Sequence, residues 1–137
     1  MTKRLYNGSE TVKDKVAAYV KRARSDVFVP GDFVGIASYP QVLRALKQLV
    51  REKTIVRFGH GAYARAEEFN GRAYPVADNP VLLVGLWKKL GIKWELSKAV
   101  RDYNSGESTQ VPVRGYFVVK GRFSRKFNGA EDLYVAG

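Results

Sequence analysis

Cysteine is missing from this sequence, and histidine and methionine occur once each among its 137 residues. Without cysteine the chain has no disulfide bond and no zinc finger, and the single histidine leaves only oxygen ligands for a metal site. Long apolar stretches are missing too, because the best run, from Pro80 to Trp87, falls far short of the roughly 20 residues that cross a bilayer. No signal-peptide core follows the basic N-terminus. We therefore expect a cytoplasmic protein of a microbe, without membrane attachment, metal or cofactor.

Acidic residues are the scarcer charged type, and their deficit indicates a polyanionic partner. The sequence has 24 Lys and Arg against 13 Asp and Glu, a net charge of +11, and its pI is about 10.0. Residues 1–66 account for +8 of this charge and residues 67–137 for +3. The charge reverses at Glu67-Glu68, and the turn dipeptide Asn70-Gly71 follows. We therefore predict two regions, 1–66 and 67–137, with the basic excess mainly in the first.

The first region opens with short elements in a definite order. Apolar residues at helical spacing predict a first helix from Ser9, its N-cap, to about Arg24. Val27-Phe28-Val29 predicts a short strand. Pro30-Gly31-Asp32 predicts a turn that also supplies the N-cap of a short helix ending at Ile36.

A longer amphipathic helix is predicted from near Ser38 to near Lys53. Its apolar side, which we expect to pack, comprises Tyr39, Val42, Leu43, Leu46, Leu49 and Val50. Its polar side, which we expect to face outward, comprises Gln41, Arg44, Gln48 and Arg51. Residues 54–65 form two apolar segments joined by the glycine-rich tip Gly59-His60-Gly61, which predicts a β-hairpin directly after the helix.

This order of elements is typical of a winged helix-turn-helix domain, whose long helix enters the major groove of DNA while the hairpin lies along the phosphate backbone. We expect Gln41, Arg44 and Gln48 to read base edges, because Arg pairs with guanine and Gln with adenine. Residues at the helix ends and around the wing are expected on the DNA backbone: Ser38, Tyr39, Lys47, Arg51, Arg57, His60 and Arg65. The alternatives are a polar helix side that is merely solvated and, for His60, a catalytic or metal-binding role.

The second region mixes helices and strands, so the predicted fold class is α+β, with a winged helix-turn-helix followed by a small α+β region. Asn79-Pro80 is the N-cap and first-turn pair of a helix predicted from Val81 to Leu90 and ended by Gly91. Residues 97–103 predict a second, short helix. Residues 111–119, 122–127 and 133–135 are expected as strands, the first two forming a basic β-hairpin. Its cations form either a second nucleic-acid surface or a solvated strand edge: Arg114, Lys120, Arg122, Arg125 and Lys126.

Three segments of the first region, Val27 to Phe33, Ser38 to Leu49 and Ile55 to Tyr63, resemble the N-terminal winged helix of AbiEi-type antitoxins. A fourth segment, Ser108-Thr109-Gln110-Val111-Pro112 ahead of the basic hairpin, is similar to one common among their relatives. The chain thus resembles a short member of that family. The resemblance implies a transcriptional autorepressor whose winged helix binds an operator and whose C-terminal part engages a nucleotidyltransferase-like toxin.

Enzymatic activity is not expected, because no nucleophile with a base, carboxylate pair, metal cluster or phosphate loop can be assembled from the sequence. The leading hypothesis is a sequence-specific, nucleoid-associated regulator of antitoxin type that binds double-stranded DNA. A cognate toxin and a second copy of the chain are further candidate partners. Two alternatives stay open: an RNA-binding or non-specific nucleic-acid-binding protein that uses the basic hairpin, and a protein-interaction module that binds a toxin.

Overall fold

The computed structural model describes residues 10–112, 115–120 and 133–136, with only the backbone of residues 135 and 136. Its helices and strands form a mixed α+β protein, which confirms the predicted class at that level. The chain separates into two compact units, the first extending through Asp78 and the second beginning at Asn79. Among the described residues, no helix has the length and apolar character needed to cross a membrane.

The first helix, α1, spans Val12–Arg22. Its N-cap is Thr11, whereas the sequence predicted Ser9, a residue outside the described part of the chain. The physical reason is a reciprocal capping box: the Asp14 backbone N–H donates to the Thr11 hydroxyl and the Thr11 N–H donates to the Asp14 carboxylate, each over 3.1 Å. Two N–H groups that a helix start leaves unpaired are thereby satisfied.

The short helix after the first strand is a single 3₁₀ turn, Pro30–Phe33, and ends before the predicted Ile36. Asp32 does not act as its N-cap. Its carboxylate instead accepts a hydrogen bond from the backbone N–H of Val29, the N-cap residue, over 3.0 Å. The side chain thus satisfies a backbone N–H at the start of the turn. The long helix, α2, spans Tyr39–Arg51 with Ser38 as its N-cap, close to the prediction.

A four-stranded antiparallel sheet completes the first unit. Its strands are β1 (Val27–Phe28), β2 (Ile55–Gly59), β3 (Ala62–Phe69) and β4 (Arg72–Pro75). The first half of β3 lies between β1 and β2, with Ala64 opposite both Val27 and Val56, and its second half pairs with β4.

The Asn70-Gly71 pair is the tight turn that joins β3 to β4, since both residues have left-handed backbone angles, φ 53° and 77°. The predicted boundary at 66/67 therefore falls within β3. The first unit continues past it because residues 66–69 are paired with β4.

The core of the first unit lies between α1, α2 and the sheet. Its buried members are Val16, Val20, Phe28, Phe33, Val42, Ala45, Leu46, Leu49, Ile55 and Tyr63. On the apolar side of α2, Val42, Leu46, Leu49 and Val50 pack there as predicted. There are two exceptions: Leu43 is half-buried outside this cluster, and Tyr39, the first residue of the helix, is 62% exposed.

The second unit contains two helices, α3 (Asn79–Leu90) and α4 (Lys98–Asn104), among its described residues. A three-stranded sheet is formed by β5 (Trp94–Leu96), β6 (Phe117–Val119) and β7 (Tyr134–Ala136). Strand β6 is central, antiparallel to β5 and parallel to β7. Trp87 of α3 is fully buried, with the rings of Phe117 and Tyr134 edge-on to it at 5.4 and 5.7 Å.

The strands of the second unit differ from the prediction. Residues 111–119 were expected as one strand, but among those described only 117–119 are paired. Strand β5 was not predicted, and the last strand is Tyr134–Ala136 where 133–135 was expected. The predicted strand 122–127 lies outside the described residues.

Candidate nucleic-acid interface

The outer face of α2 carries exposed polar and basic side chains. Those of Gln41, Arg44, Lys47, Gln48 and Arg51 are all exposed, as the pattern predicted. The opposite face is anchored by Val42, Leu46 and Leu49, each at most 1% exposed. A rigid helix thus presents three cations and two amides to solvent.

Two polar residues at the start of α2 bond to each other and fix the helix end. The Gln41 amide oxygen accepts from the Ser38 backbone N–H over 3.2 Å and from the Ser38 hydroxyl over 3.0 Å. The Ser38 hydroxyl in turn accepts from the Gln41 N–H over 3.4 Å. The sequence assigned Gln41 to base reading and Ser38 to phosphate contact. Their side chains instead form a capping box, so the amide oxygen of Gln41 is already engaged.

A groove of about 390 Å³ lies between α2 and the β2–β3 hairpin, and we call it the α2–hairpin groove. Arg44 and Lys47 line it from α2, and Arg57 and His60 line it from the hairpin. None of the described residues that line it is acidic. Helix and hairpin residues that are 10 or more positions apart in sequence are therefore brought together into one basic surface.

The less exposed lining residues of the α2–hairpin groove are mainly apolar. Pro30, Leu43, Val50 and Tyr63 line it, and we call these four residues the apolar floor. Tyr63 is only 8% exposed. Burial raises the pKa of its hydroxyl above the ordinary value, against the opposing effect of the Arg57 charge, so this hydroxyl stays protonated at neutral pH. The exposed ring of Tyr39 also lines the groove.

The cations of the groove are available for a ligand. No ion pair among the described residues engages Arg44, Lys47 or Arg57. Arg57 Nη2 does lie 3.4 Å from Nδ1 of His60 and donates to it when that nitrogen is unprotonated, which links the hairpin tip to β2. The described residues contain no cluster of His, Asp and Glu that could hold a metal ion at His60 or elsewhere.

Arg65, which the sequence placed on the DNA backbone, is engaged within the molecule. Its Nε donates to the Asp26 carboxylate over 3.0 Å, and its two terminal nitrogens donate to the backbone carbonyls of Val20, Ala23 and Ser25. The guanidinium also lies 5.6 Å from the centre of the Phe28 ring. These contacts give Arg65 a structural role within the first unit, so the interface that we consider does not include it.

A second cleft, of about 510 Å³, flanks the other side of α2 beside the start of α1. Arg44 lines both clefts, whereas Gln41 and Gln48 line only this one. Its charge is mixed, because Lys13 and Asp14 also line it. A hydrogen bond to Glu52, 2.6 Å long, raises the pKa of Lys13. Of these two clefts, the α2–hairpin groove is therefore the one whose charged lining residues are all basic.

The predicted second basic surface is described only at Lys120, whose Nζ lies 3.2 Å from the Glu95 carboxylate. Arg114, Arg122, Arg125 and Lys126 lie outside the described residues.

Sequence reasoning missed the apolar floor, although its signal was present. The signal is that Leu43 and Val50 are seven residues apart in the α2 sequence and so lie on the same side of the helix. In the structure both are only half-buried, and Tyr63 is on the facing strand. The Ser38-x-x-Gln41 spacing was likewise a visible capping-box pattern.

Comparison with protein-family models, curated proteins and solved structures finds no match to this chain. The resemblance to AbiEi-type antitoxins therefore stays a prediction from the residues.

Proposed function

We propose that this protein binds double-stranded DNA through α2 and the β2–β3 hairpin, as a sequence-specific transcriptional regulator. The observation that carries the proposal is the α2–hairpin groove, where Arg44, Lys47, Arg57 and His60 meet without an acidic neighbour among the lining residues. Such a surface matches the phosphate backbone of DNA, whose contacts with Lys and Arg release condensed counterions.

The order of elements supports a winged helix-turn-helix as the arrangement of this unit. Helix α1, strand β1, the 3₁₀ turn, α2 and the hairpin follow one another in the sequence of that domain type. In this proposal the 3₁₀ turn takes the place of the helix before the recognition helix, α2 is the recognition helix, and the β2–β3 hairpin is the wing.

The exposed residues then divide by role. Arg44 and Gln48 read base edges, and Arg44 donates two hydrogen bonds to a guanine. Lys47, Arg51, Arg57 and His60 contact the backbone and add affinity without sequence preference. Autorepression and engagement of a nucleotidyltransferase-like toxin are the parts of the proposal that rest on the family resemblance alone.

Selection from a random pool of duplexes, followed by titration of the enriched duplex and a scrambled one, tests this function. Arg44→Ala is expected to weaken binding to the enriched duplex by about tenfold or more, and binding to the scrambled duplex much less, because a bidentate pair discriminates between bases. Arg72→Ala is the matched control, since Arg72 is equally an exposed arginine but lies in β4. If no sequence is enriched, or if both variants lose affinity equally, the proposed sequence-specific binding is wrong.

A further inference from the structure

We infer that the α2–hairpin groove holds an unpaired nucleotide, with its base against Tyr39 and the apolar floor and its phosphates on the basic rim. The inference rests on the proposed nucleic-acid binding and specifies the substrate further. The protein is then expected to prefer a duplex that carries an unpaired nucleotide beside the paired site. A fully paired duplex should bind less tightly.

The apolar floor is the first observation behind this inference. A phosphate needs cations and hydrogen-bond donors, and the rim supplies them through Lys47, Arg57 and His60. The side chains of Pro30, Leu43 and Val50 in the floor offer a phosphate neither a charge nor a hydrogen-bond donor. In a paired duplex the faces of the bases are stacked inside, whereas an unpaired base can place its whole apolar face against this floor. Proteins that bind single strands combine the same two components, a basic groove and a stacking surface.

Tyr39 is the second observation. Its ring is 62% exposed although it is aromatic, and it is not among the residues of the core cluster. It occupies the first position of α2, whose start is fixed by the Ser38–Gln41 capping box. A ring on a rigid helix end beside a groove is a stacking platform with little conformational entropy to lose.

The size of the groove agrees with a single nucleotide. Its volume of about 390 Å³ lies near the lower end of the roughly 300–1,000 Å³ that small-molecule sites occupy. The hydroxyl of Tyr63 and the imidazole of His60 line the same space and can bond to the edge of a base. The cations at the rim are placed for the phosphates on either side of that base.

The test compares four probes by fluorescence anisotropy with the full chain: a blunt duplex, the same duplex with a short single-stranded tail, the duplex with a tail of abasic nucleotides, and the tail sequence alone. We expect the tailed duplex to bind at least about fivefold more tightly than the abasic-tailed one, which carries the same phosphates, because stacking of a base contributes on this order. Tyr39→Ala is expected to remove that gain, and Tyr39→Phe to keep it. Phe69→Ala is the matched control, since Phe69 is 67% exposed but lies at the end of β3.

Each outcome has a distinct meaning. Equal affinity for the tailed and abasic-tailed duplexes, or equal losses in Tyr39→Ala and Phe69→Ala, would overturn the unpaired-nucleotide inference while the blunt duplex still reports on the proposed DNA binding. Failure of every probe to bind would overturn both. Thermal unfolding of each variant verifies that the fold is intact.

Discussion

Arg65 fixes the end of α1 to the sheet. Three of its hydrogen bonds go to the carbonyls of Val20, Ala23 and Ser25, at and beyond the C-terminal end of the helix, where carbonyl groups lack partners in the helix itself. A positive charge is also favourable at this end of a helix dipole. The Asp26 carboxylate balances the charge of the guanidinium. A single side chain on β3 thus satisfies four acceptors, one on the last turn of α1 and three on the segment between α1 and β1.

Replacing Arg65 by methionine is expected to lower the free energy of unfolding by about 2–4 kcal/mol, because half-buried carbonyls and one carboxylate lose their donor while the apolar stem is kept. Urea unfolding followed by circular dichroism measures the change. Arg72→Met, at an exposed site on the same β3–β4 hairpin, should change stability by less than about 0.5 kcal/mol. Equal effects of the two substitutions would show that Arg65 is an ordinary surface residue.

Local sequence carries no signal for the role of Arg65. Its partners are between 39 and 45 residues away in the chain, so only the folded sheet reveals them. The partner of Gln41 is three residues away, and its pattern is legible in the sequence. Exposure on α2 was predictable for the same reason: helical periodicity is a local property.

Helix α1 depends on charge at its first turn. Hydrogen bonds from the Thr11 backbone N–H and side chain lower the pKa of the Asp14 carboxyl below its ordinary value of 3.8, and the charge of Lys13 adds to this effect. A carboxyl whose pKa is lower in the folded state stabilises the fold fully above the ordinary value and loses that contribution as the pH falls through the folded-state pKa.

Asp14→Ala should therefore cost stability near neutral pH, by less than about 1 kcal/mol because the group is solvent-exposed. Below the lowered pKa of Asp14 the difference in unfolding free energy between wild type and variant should shrink. Urea unfolding at neutral and strongly acidic pH measures it. Glu10→Ala is the control, since Glu10 precedes the N-cap and has no part in the capping box. A difference between wild type and Asp14→Ala that did not depend on pH would refute this explanation.

Long elements with caps were predictable, and short paired strands were not. Helices α2 and α3 have clear periodicity or start and stop residues, and both appear within two residues of the predicted ends. Strand β4 has four residues and contains Pro75, which sequence rules associate with turns or sheet edges, and β5 has only three residues. Strand β5 is defined by its pairing with β6, which is distant in sequence, whereas β4 pairs with β3 directly across the Asn70-Gly71 turn.

The net charge of the molecule is positive, and the acidic residues of the first unit are unevenly distributed. Three acidic residues of the first unit, Asp26, Glu52 and Glu68, form ion pairs with Arg65, Lys13 and Lys53. Part of the sequence's net charge of +11 lies at the α2–hairpin groove, whose described lining residues include no acid. Composition indicated an anionic partner, but only the fold shows where Arg44, Lys47 and Arg57 meet in the first unit.

The location of the interface can be measured by an NMR titration of the isotope-labelled full chain with the enriched duplex. Binding through α2 and the wing requires the largest amide shift changes at residues 38–51 and 55–63, including Arg44 and His60, with α3 and α4 little affected. Changes confined to α3, α4 or residues 113–128 would contradict this, because the nucleic acid would then be bound by the second unit.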